Sequence, residues 1–347
     1  MPRAEGPRGA CPYPRHDGGS PEIALKDTAP HNPQMPCRLD RRTLLAASIA
    51  ASVAGRAARA VPADSRAPGI AITIDDFDLS DTPLLSGEAR DTAIRTVLAR
   101  HAIKAAGFVA GKYGQGARSD KVLAAWSNAG HLLGNHSFSH RYFSGRDPDA
   151  FMADILRCEP LLSGYTGFRR LFRFPFLAEG KTAAGRDRMR ALLKAHGYAN
   201  AHVTIDTSDW YVDNRLRARL DATPRADIAP YRRFYLDHVW DRATFYDRLA
   251  QRVLGHSIDH TLLLHHRLTT GLFLGDLLAM FKARGWRLVD AETAFAAPLF
   301  AAEPDVLPAG QSLVWALAKA DGRYETLLRY PGEDGAYEAP RMDAAGL

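Results

Sequence analysis

Residues 70–76, which read IAITIDD, form a short apolar run that ends in two adjacent carboxylates. Six further short apolar runs follow it, and stretches with apolar residues at helical spacing lie between them. These runs are 106–110, 131–135, 171–175, 202–206, 261–265 and 286–290, and the candidate helices include 90–100, 150–162, 184–196, 243–254 and 274–284. Strands that alternate with helices predict an α/β protein with a parallel sheet. Seven repeats over about 230 residues suit a barrel.

Two stretches do not fit this alternation. Residues 214–241 are polar and basic with two prolines, and are either a substrate-side insertion or a surface excursion. After residue 298 the periodicity fades, and the tail to residue 347 either packs on the barrel or is partly mobile.

The charge distribution gives no support for nucleic-acid binding. The chain of 347 residues has a formal net charge of +6. Residues 1–60 hold nine Lys and Arg against five Asp and Glu, a net charge of +4, which leaves +2 for the rest. A chain so nearly balanced beyond its first segment lacks the basic surface that a phosphate backbone requires.

The basic first segment predicts a leader. Residues 1–34 are rich in Pro, Gly and charge and are expected to be disordered. Met35 would be a more natural start of translation, because it places the arginine pair at 41 and 42 near the N-terminus. Arg41 and Arg42 precede a modestly apolar run and a small-residue cleavage site near 58–60, a pattern typical of a twin-arginine-like signal peptide. We therefore expect a periplasmic or secreted protein without stable membrane insertion once residues 1–60 are removed, since the run is too short to span a bilayer.

His136 and His140, spaced i and i+4, are candidate metal ligands. On a helix both imidazoles would lie on one face, as chelation requires. With one carboxylate from the pair Asp75 and Asp76, they would leave coordination positions open, which is typical of catalytic zinc. The other carboxylate would take a proton from water. Two unrelated histidines, and a plain Asp-Asp turn or cap, remain the alternatives.

Further polar residues follow other predicted strands, at the rim where barrel active sites assemble. Arg173 is suited to keep a catalytic carboxylate ionised. Pro175 ends strand pairing, which leaves the Phe176 backbone N–H free to stabilise an oxyanion. Trp210 offers a flat apolar wall for a sugar ring or is a core residue. His265 is a candidate general acid, because the pKa of histidine lies near neutrality. Of the two adjacent histidines, His265 and His266, one is expected to have no part in the reaction.

Taken in order, these segments resemble the five motifs of the polysaccharide deacetylases, also called carbohydrate esterase family 4 or NodB-homology proteins. The matching segments are Thr73-Ile74-Asp75-Asp76, His136 to His140, Arg173-Phe174-Pro175, Asp206 to Trp210, and Leu262 to His265. The resemblance covers about residues 66–300 and leaves 301–347 as a C-terminal extension. It implies an incomplete (β/α)7 barrel of the NodB or polysaccharide deacetylase type.

The resemblance also implies a role for each residue. Asp75 would be the general base, and Asp76, His136 and His140 would hold a divalent metal, usually Zn²⁺. Arg173 would orient Asp75, the Phe176 N–H would help hold the oxyanion, Asp209 would tune His265, and His265 would protonate the leaving amine.

Three positions depart from the family pattern. Phe77 and Leu177 replace glycines, and His266 replaces an aspartate that often follows the last motif. No catalytic group is lost, but the changes are expected to alter the floor and rim of the groove. The leading hypothesis is thus an N-deacetylase acting on a chitin- or peptidoglycan-like carbohydrate. An O-acetyl esterase or non-sugar amidase on the same barrel, and an inactive carbohydrate-binding protein, are the alternatives. The oligomeric state stays open.

Overall fold

The computed structural model describes residues 67–347, so the predicted leader at 1–60 lies outside the described residues. The strands are β1 Gly69–Asp76, β2 Ala106–Val109, β3 Leu132–Asn135, β4 Phe168–Phe172, β5 Ala178–Gly180, β6 Ala199–Asn200, β7 Asp259–His265, β8 Arg287–Leu288 and β9 Ala309–Gly310. The helices are α1 Gly87–Arg100, α2 Ala117–Asn128, α3 Pro148–Cys158, α4 Ala183–Ala195, α5 Asp209–Ala222, α6 Ala229–Leu254, α7 Leu268–Ala283, α8 Ala291–Phe295, α9 Leu313–Asp321 and α10 Gly335–Ala344. Short 3-10 turns lie at Glu159–Leu161, Pro175–Leu177, Pro298–Ala301 and Glu325–Leu327.

The main sheet is parallel and follows the order β6-β4-β3-β2-β1-β7, with β8 paired along the start of β1. Its register aligns the carboxyl ends of the strands. Asp75 is paired with both Phe108 and His265, and Asn135 is paired with both Val109 and Phe172. Polar residues that follow these strands are therefore brought to one edge.

The predicted incomplete barrel is confirmed by this curled sheet. Residues of β6 pair with β4, and a few residues later Ile205 forms one isolated parallel bridge with Leu262 of β7. In the described part of the chain, the gap between β4 and β7 is thus closed by the short strand β6 and one isolated bridge, and not by a full-length strand.

The strand β1 is buried along its whole length because helices cover one face and the barrel interior the other. Ile70, Ile72 and Ile74 belong to the large core that includes the inner faces of α1 and α7, whereas Ala71 packs with Ala106 and other small residues in a separate cluster. Because both faces of β1 are buried, its sequence does not alternate between apolar and exposed polar residues.

Residues 214–241 do interrupt the alternation, as expected, because α5 and α6 follow one another with no strand between them. The stretch is mostly helical and consists of the end of α5 and the first half of α6. Tyr231, Tyr235 and Val239 are buried at spacings of four residues, so one face of α6 joins the core while the basic residues take the other.

The C-terminal extension packs on the barrel. Its strand β9 pairs with β5 in an antiparallel ladder. The Leu313 backbone N–H donates to the carbonyl oxygen of Val203 at 2.7 Å, and the Ser312 hydroxyl donates to that of Thr204 at 2.8 Å. These bonds provide partners for the backbone carbonyl groups between β6 and the Ile205 bridge, where the main sheet has the fewest strand-to-strand hydrogen bonds. Among residues 67–347, no helix has both the length and the apolar character needed to cross a membrane.

Candidate active site

The end of β1 turns its two carboxylates in different directions. Asp76 has a φ of 78° and Phe77 a φ of 59°, so the chain leaves the extended conformation at Asp76. Asp75 is 2% exposed and Asp76 is 7% exposed. The two acids therefore have different partners although they are adjacent in sequence.

Asp76, His136 and His140 form a possible metal site, in which one ligand atom from each lies within 4.8 Å of the others. Oδ1 of Asp76 is 3.7 Å from Nε2 of His136 and 3.1 Å from Nε2 of His140. That oxygen is buried and makes no hydrogen bond of acceptable geometry. Buried polar atoms are normally satisfied, so an oxygen that faces two imidazole nitrogens fits a bound cation.

The protonation of these groups also fits a cation. Nδ1 of His136 lies 2.7 Å from the carbonyl oxygen of Arg173, which places the proton on Nδ1 and leaves the Nε2 lone pair facing Asp76. Burial, together with the charge of His140, holds the pKa of His136 well below its ordinary value. Burial opposes the ionisation of Asp76, but the neighbouring histidines outweigh it and lower the pKa of that carboxyl.

The helix expected for residues 136–140 is absent, and that prediction is wrong. The segment is a loop after β3, with left-handed backbone at Ser137 and His140. The Ser137 N–H donates to the Asn135 side chain at 2.9 Å, and the His140 N–H donates to the Ser137 hydroxyl at 3.1 Å. This hydrogen-bonded turn, rather than a helix face, brings the two imidazoles together.

Arg173 binds the other carboxylate. Its Nη1 lies 3.2 and 3.3 Å from the two oxygens of Asp75, and its Nε donates to the carbonyl oxygen of Ala201 at 2.6 Å. Burial raises the pKa of Asp75 to about 6, and Arg173 opposes that rise. Oδ2 of Asp75 is also 3.7 Å from Nε2 of His136, so this carboxylate borders the possible metal position.

Asp209 binds His265 twice. Its Oδ1 is 2.6 Å from Nδ1 of His265, and its Oδ2 accepts the His265 backbone N–H at 2.9 Å. Burial alone would lower the pKa of His265, but the Asp209 carboxylate overcomes that effect and raises it to about 9. Because Nδ1 faces Asp209, Nε2 is the nitrogen left for other partners.

The two predicted substrate contacts lie beside these groups. The Phe176 ring is 4.9 Å from the His140 ring, and the Phe176 side chain is 38% exposed. Trp210 is half-buried in the first turn of α5, next to Asp209, with its ring edge-on to Tyr211.

Sequence reasoning missed Arg267, whose Nη2 lies 3.9 Å from Oδ2 of Asp76. Its position two residues after His265 is the signal that was available. His266 is the incidental member of its pair. It is buried against the Phe77 ring, and the Arg90 guanidinium donates to its Nδ1 at 3.4 Å.

The departures at Phe77 and Leu177 fall on left-handed backbone, where φ is 59° and 49°. Glycine adopts this conformation without the steric cost that other residues incur. The expectation that both alter the groove is wrong for Phe77, which is 2% exposed and packs on Trp126. Leu177 is 8% exposed and packs on Val203 and Leu263, so it presents little surface.

Residues 63–201 match the model of a family described as polysaccharide deacetylase. A peptidoglycan-N-acetylglucosamine deacetylase from Bacillus cereus is 21% identical over 233 residues, which cover 65% of this chain and 68% of that protein. Among solved structures, a family 4 carbohydrate esterase from Streptomyces lividans in complex with acetate is 19% identical with a TM-score of 0.43, covering 65% of this chain and 95% of that one. A pseudoenzyme of carbohydrate esterase family 4 from Bacillus anthracis is 15% identical with a TM-score of 0.46, covering 66% of each chain.

Proposed function

We propose that this chain is a member of the polysaccharide deacetylase family and a metal-dependent hydrolase that removes N-acetyl groups from an N-acetylated poly- or oligosaccharide. The observation that carries the proposal is the convergence of the Asp76, His136 and His140 ligand atoms next to Asp75. A ligand set and a base then lie at the carboxyl ends of β1 and β3, and a histidine–aspartate pair lies where β7 ends and α5 begins.

Asp76, His136 and His140 would hold the metal. Two imidazole nitrogens and one carboxylate oxygen are a common catalytic zinc set, so Zn²⁺ is the ion we propose. When bound, such an ion polarises a carbonyl group and lowers the pKa of water. The neutral state of His136 and the ionised state of Asp76 suit both donors to this task.

Asp75 is proposed as the general base. Its Oδ2 borders the ligand atoms, so a water molecule held there would lie within reach of this oxygen. With its pKa at about 6, Asp75 is mostly ionised at neutral pH and still basic enough to accept a proton. Arg173 fixes its orientation from the buried side.

His265 is proposed as the general acid. Its pKa of about 9 keeps the imidazole mostly protonated at neutral pH. Asp209 holds Nδ1, so the proton leaves from Nε2 toward the amine nitrogen. The backbone N–H of Phe176 is proposed to stabilise the oxyanion, and Trp210 is proposed to form an apolar wall beside the sugar.

A metal analysis combined with a deacetylation screen tests this function. The purified full chain is loaded with Zn²⁺ and assayed on chitooligosaccharides, peptidoglycan fragments, acetylated xylan and simple amides, with Asp75→Asn as the inactive reference. We expect about one ion per chain, acetate release from N-acetylated sugars, and loss of that release on exhaustive chelation.

Three outcomes would contradict the proposal. Full activity after chelation would remove the metal from the reaction. Turnover of acetylated xylan or of simple amides alone would favour the esterase or amidase alternative. Sugar binding without metal or turnover would leave an inactive binding protein.

We also propose export to the periplasm or outside the cell, on the strength of the Arg41 and Arg42 pattern. Changing both arginines to lysine should retain the precursor in the cytoplasm, as cell fractionation and N-terminal sequencing would reveal. Normal export of that variant would exclude the twin-arginine route.

A further inference from the structure

A row of aromatic side chains leads from the possible metal site to the C-terminal extension. The Phe176 ring lies 4.9 Å from the His140 ring and 6.0 Å from the Tyr142 ring. The Tyr142 and Tyr330 side chains are also neighbours, because each contributes to the pKa of the other. The row therefore begins at a metal-ligand candidate and ends on a residue that is distant in sequence.

The extension holds Tyr330 firmly in this place. The Gly332 N–H donates to the Gln311 side chain at 2.6 Å, and the Gln311 N–H donates to the carbonyl oxygen of Leu177 at 2.9 Å. The Trp315 indole donates to the carbonyl oxygen of Arg329 at 2.9 Å. The backbone around Tyr330 is thus tied to the residue that follows Phe176.

The row presents both apolar and polar groups. Phe176 is 38% exposed and Tyr330 is 47% exposed, and both are among the few large hydrophobic side chains exposed in the described part of the chain. Tyr142 and Tyr330 each carry a hydroxyl, and Nζ of Lys181 is 5.4 Å from the centre of the Tyr142 ring. Rigid rings with hydrogen-bonding groups beside them suit a sugar, which has an apolar face and a polar edge.

We propose that Tyr142, Tyr330 and Lys181 form a subsite for a sugar unit of the same oligosaccharide, beyond the unit whose acetyl group is at the metal site. This inference rests on the proposed function, and it makes the C-terminal extension part of the substrate site. Continuity of the row with His140 is what favours a carbohydrate chain over a protein partner. It follows that longer oligosaccharides bind better than short ones.

The test compares Tyr330→Ala and Tyr142→Ala with the wild-type enzyme on N-acetylated di-, tetra- and hexasaccharides. Loss of one stacked ring should raise KM for the hexasaccharide by about three- to tenfold, by analogy with aromatic pairs. We expect kcat for the hexasaccharide, and both constants for the disaccharide, to stay unchanged. Tyr330→Phe should retain most of the affinity, and Leu327→Ala, which removes another exposed apolar side chain of the extension, should behave like wild type.

A binding measurement separates this inference from the proposed function. Hexasaccharide is titrated by calorimetry into Asp75→Asn and into the double variant with Tyr330→Ala. Weaker binding by the double variant supports the subsite, even where the wild type deacetylates nothing and the proposed function fails. Equal binding, or an equal change in KM for di- and hexasaccharide, overturns the subsite and leaves the deacetylase proposal standing.

Discussion

Nδ1 of His136 lies 2.7 Å from the backbone carbonyl oxygen of Arg173, so the loop after β3 is oriented by the residue after β4. The same Arg173 binds Asp75 through its guanidinium. Arg173 thus orients the His136 imidazole through its backbone carbonyl and holds the proposed base, Asp75, through its side chain.

His136→Ala should abolish metal binding and activity. The change removes one of three ligand atoms, and weakening even the groups behind a ligand costs about 10- to 100-fold in metal affinity. We expect at least a 100-fold loss, measured by metal content after dialysis against a competing chelator. His256→Ala, which changes an exposed histidine, is the matched control. Retention of stoichiometric metal by His136→Ala would exclude this ligand set.

Asp209→Asn should shift the pH dependence of the reaction. Burial alone lowers the pKa of His265, and the Asp209 carboxylate raises it to about 9. Without that charge the pKa falls below its ordinary value, and the imidazole is mostly neutral at pH 7. The alkaline limb of kcat/KM should therefore move down by about 2 pH units or more, with a loss of about 100-fold or more at pH 7.

The measurement for Asp209→Asn is a pH–rate profile at saturating metal. Asp221→Asn, on the exposed part of the same helix, is the control and should keep the wild-type profile. An alkaline limb that does not move would remove His265 from the role of proton donor.

Phe77→Gly should be more stable than Phe77→Ala, which reverses the usual order. Removing the buried ring costs about 3–5 kcal/mol in either variant, because it leaves a cavity beside Trp126. Alanine also carries the left-handed strain at a φ of 59°, which glycine avoids, a difference of about 1–2 kcal/mol. Urea unfolding of both variants measures the difference.

Phe108 provides the reference for this comparison, since it is fully buried in β2. There Phe108→Ala should be more stable than Phe108→Gly, by about 0.5–1 kcal/mol. The same order at both positions would show that the backbone at Phe77 is not strained.

The strand ends were predictable because buried parallel strands leave an unbroken apolar signal followed by polar residues. Asp75, Asp76 and His265 follow from that signal alone. The turn at 136–140 was not predictable, because a spacing of i and i+4 suits a helix as well as a turn. Only the left-handed backbone at Ser137 and His140 distinguishes the turn from a helix. The link from Phe176 to Tyr330 depends on packing between distant segments, which no local pattern encodes.

The first half of α6 was missed for a different reason, whereas residues 243–254 in its second half were predicted to be helical. Its buried positions include Tyr231 and Tyr235, and these aromatics lie among basic residues in a stretch with two prolines. Pro230 falls in the first turn of α6, where proline is tolerated because no intrahelical hydrogen bond is lost. Pro230 therefore occupies the second position of α6 without breaking the helix.

His131 should make the protein sensitive to acid. The side chain is 2% exposed, its Nδ1 accepts the Ala105 backbone N–H at 3.1 Å, and its ring packs on Trp126. Burial, assisted by the charge of Lys104, lowers the pKa of His131 from 6.5 to about 4. The unfolded chain therefore takes up the proton first as the pH falls. The stabilisation is complete above pH 6.5 and is lost progressively down to pH 4, by at most about 3 kcal/mol.

Urea unfolding between pH 4 and 7.5, with chelator present to remove metal linkage, measures this loss. The amide oxygen of His131→Gln can accept the Ala105 N–H but takes up no proton, so the variant should lose less stability than wild type on acidification. The exposed replacement His256→Gln should leave the wild-type slope in place, because this side chain is exposed in the folded chain. Equal slopes for wild type and His131→Gln would assign the acid sensitivity to other buried groups, since the pKa of His131 would then be the same in the folded and unfolded chain.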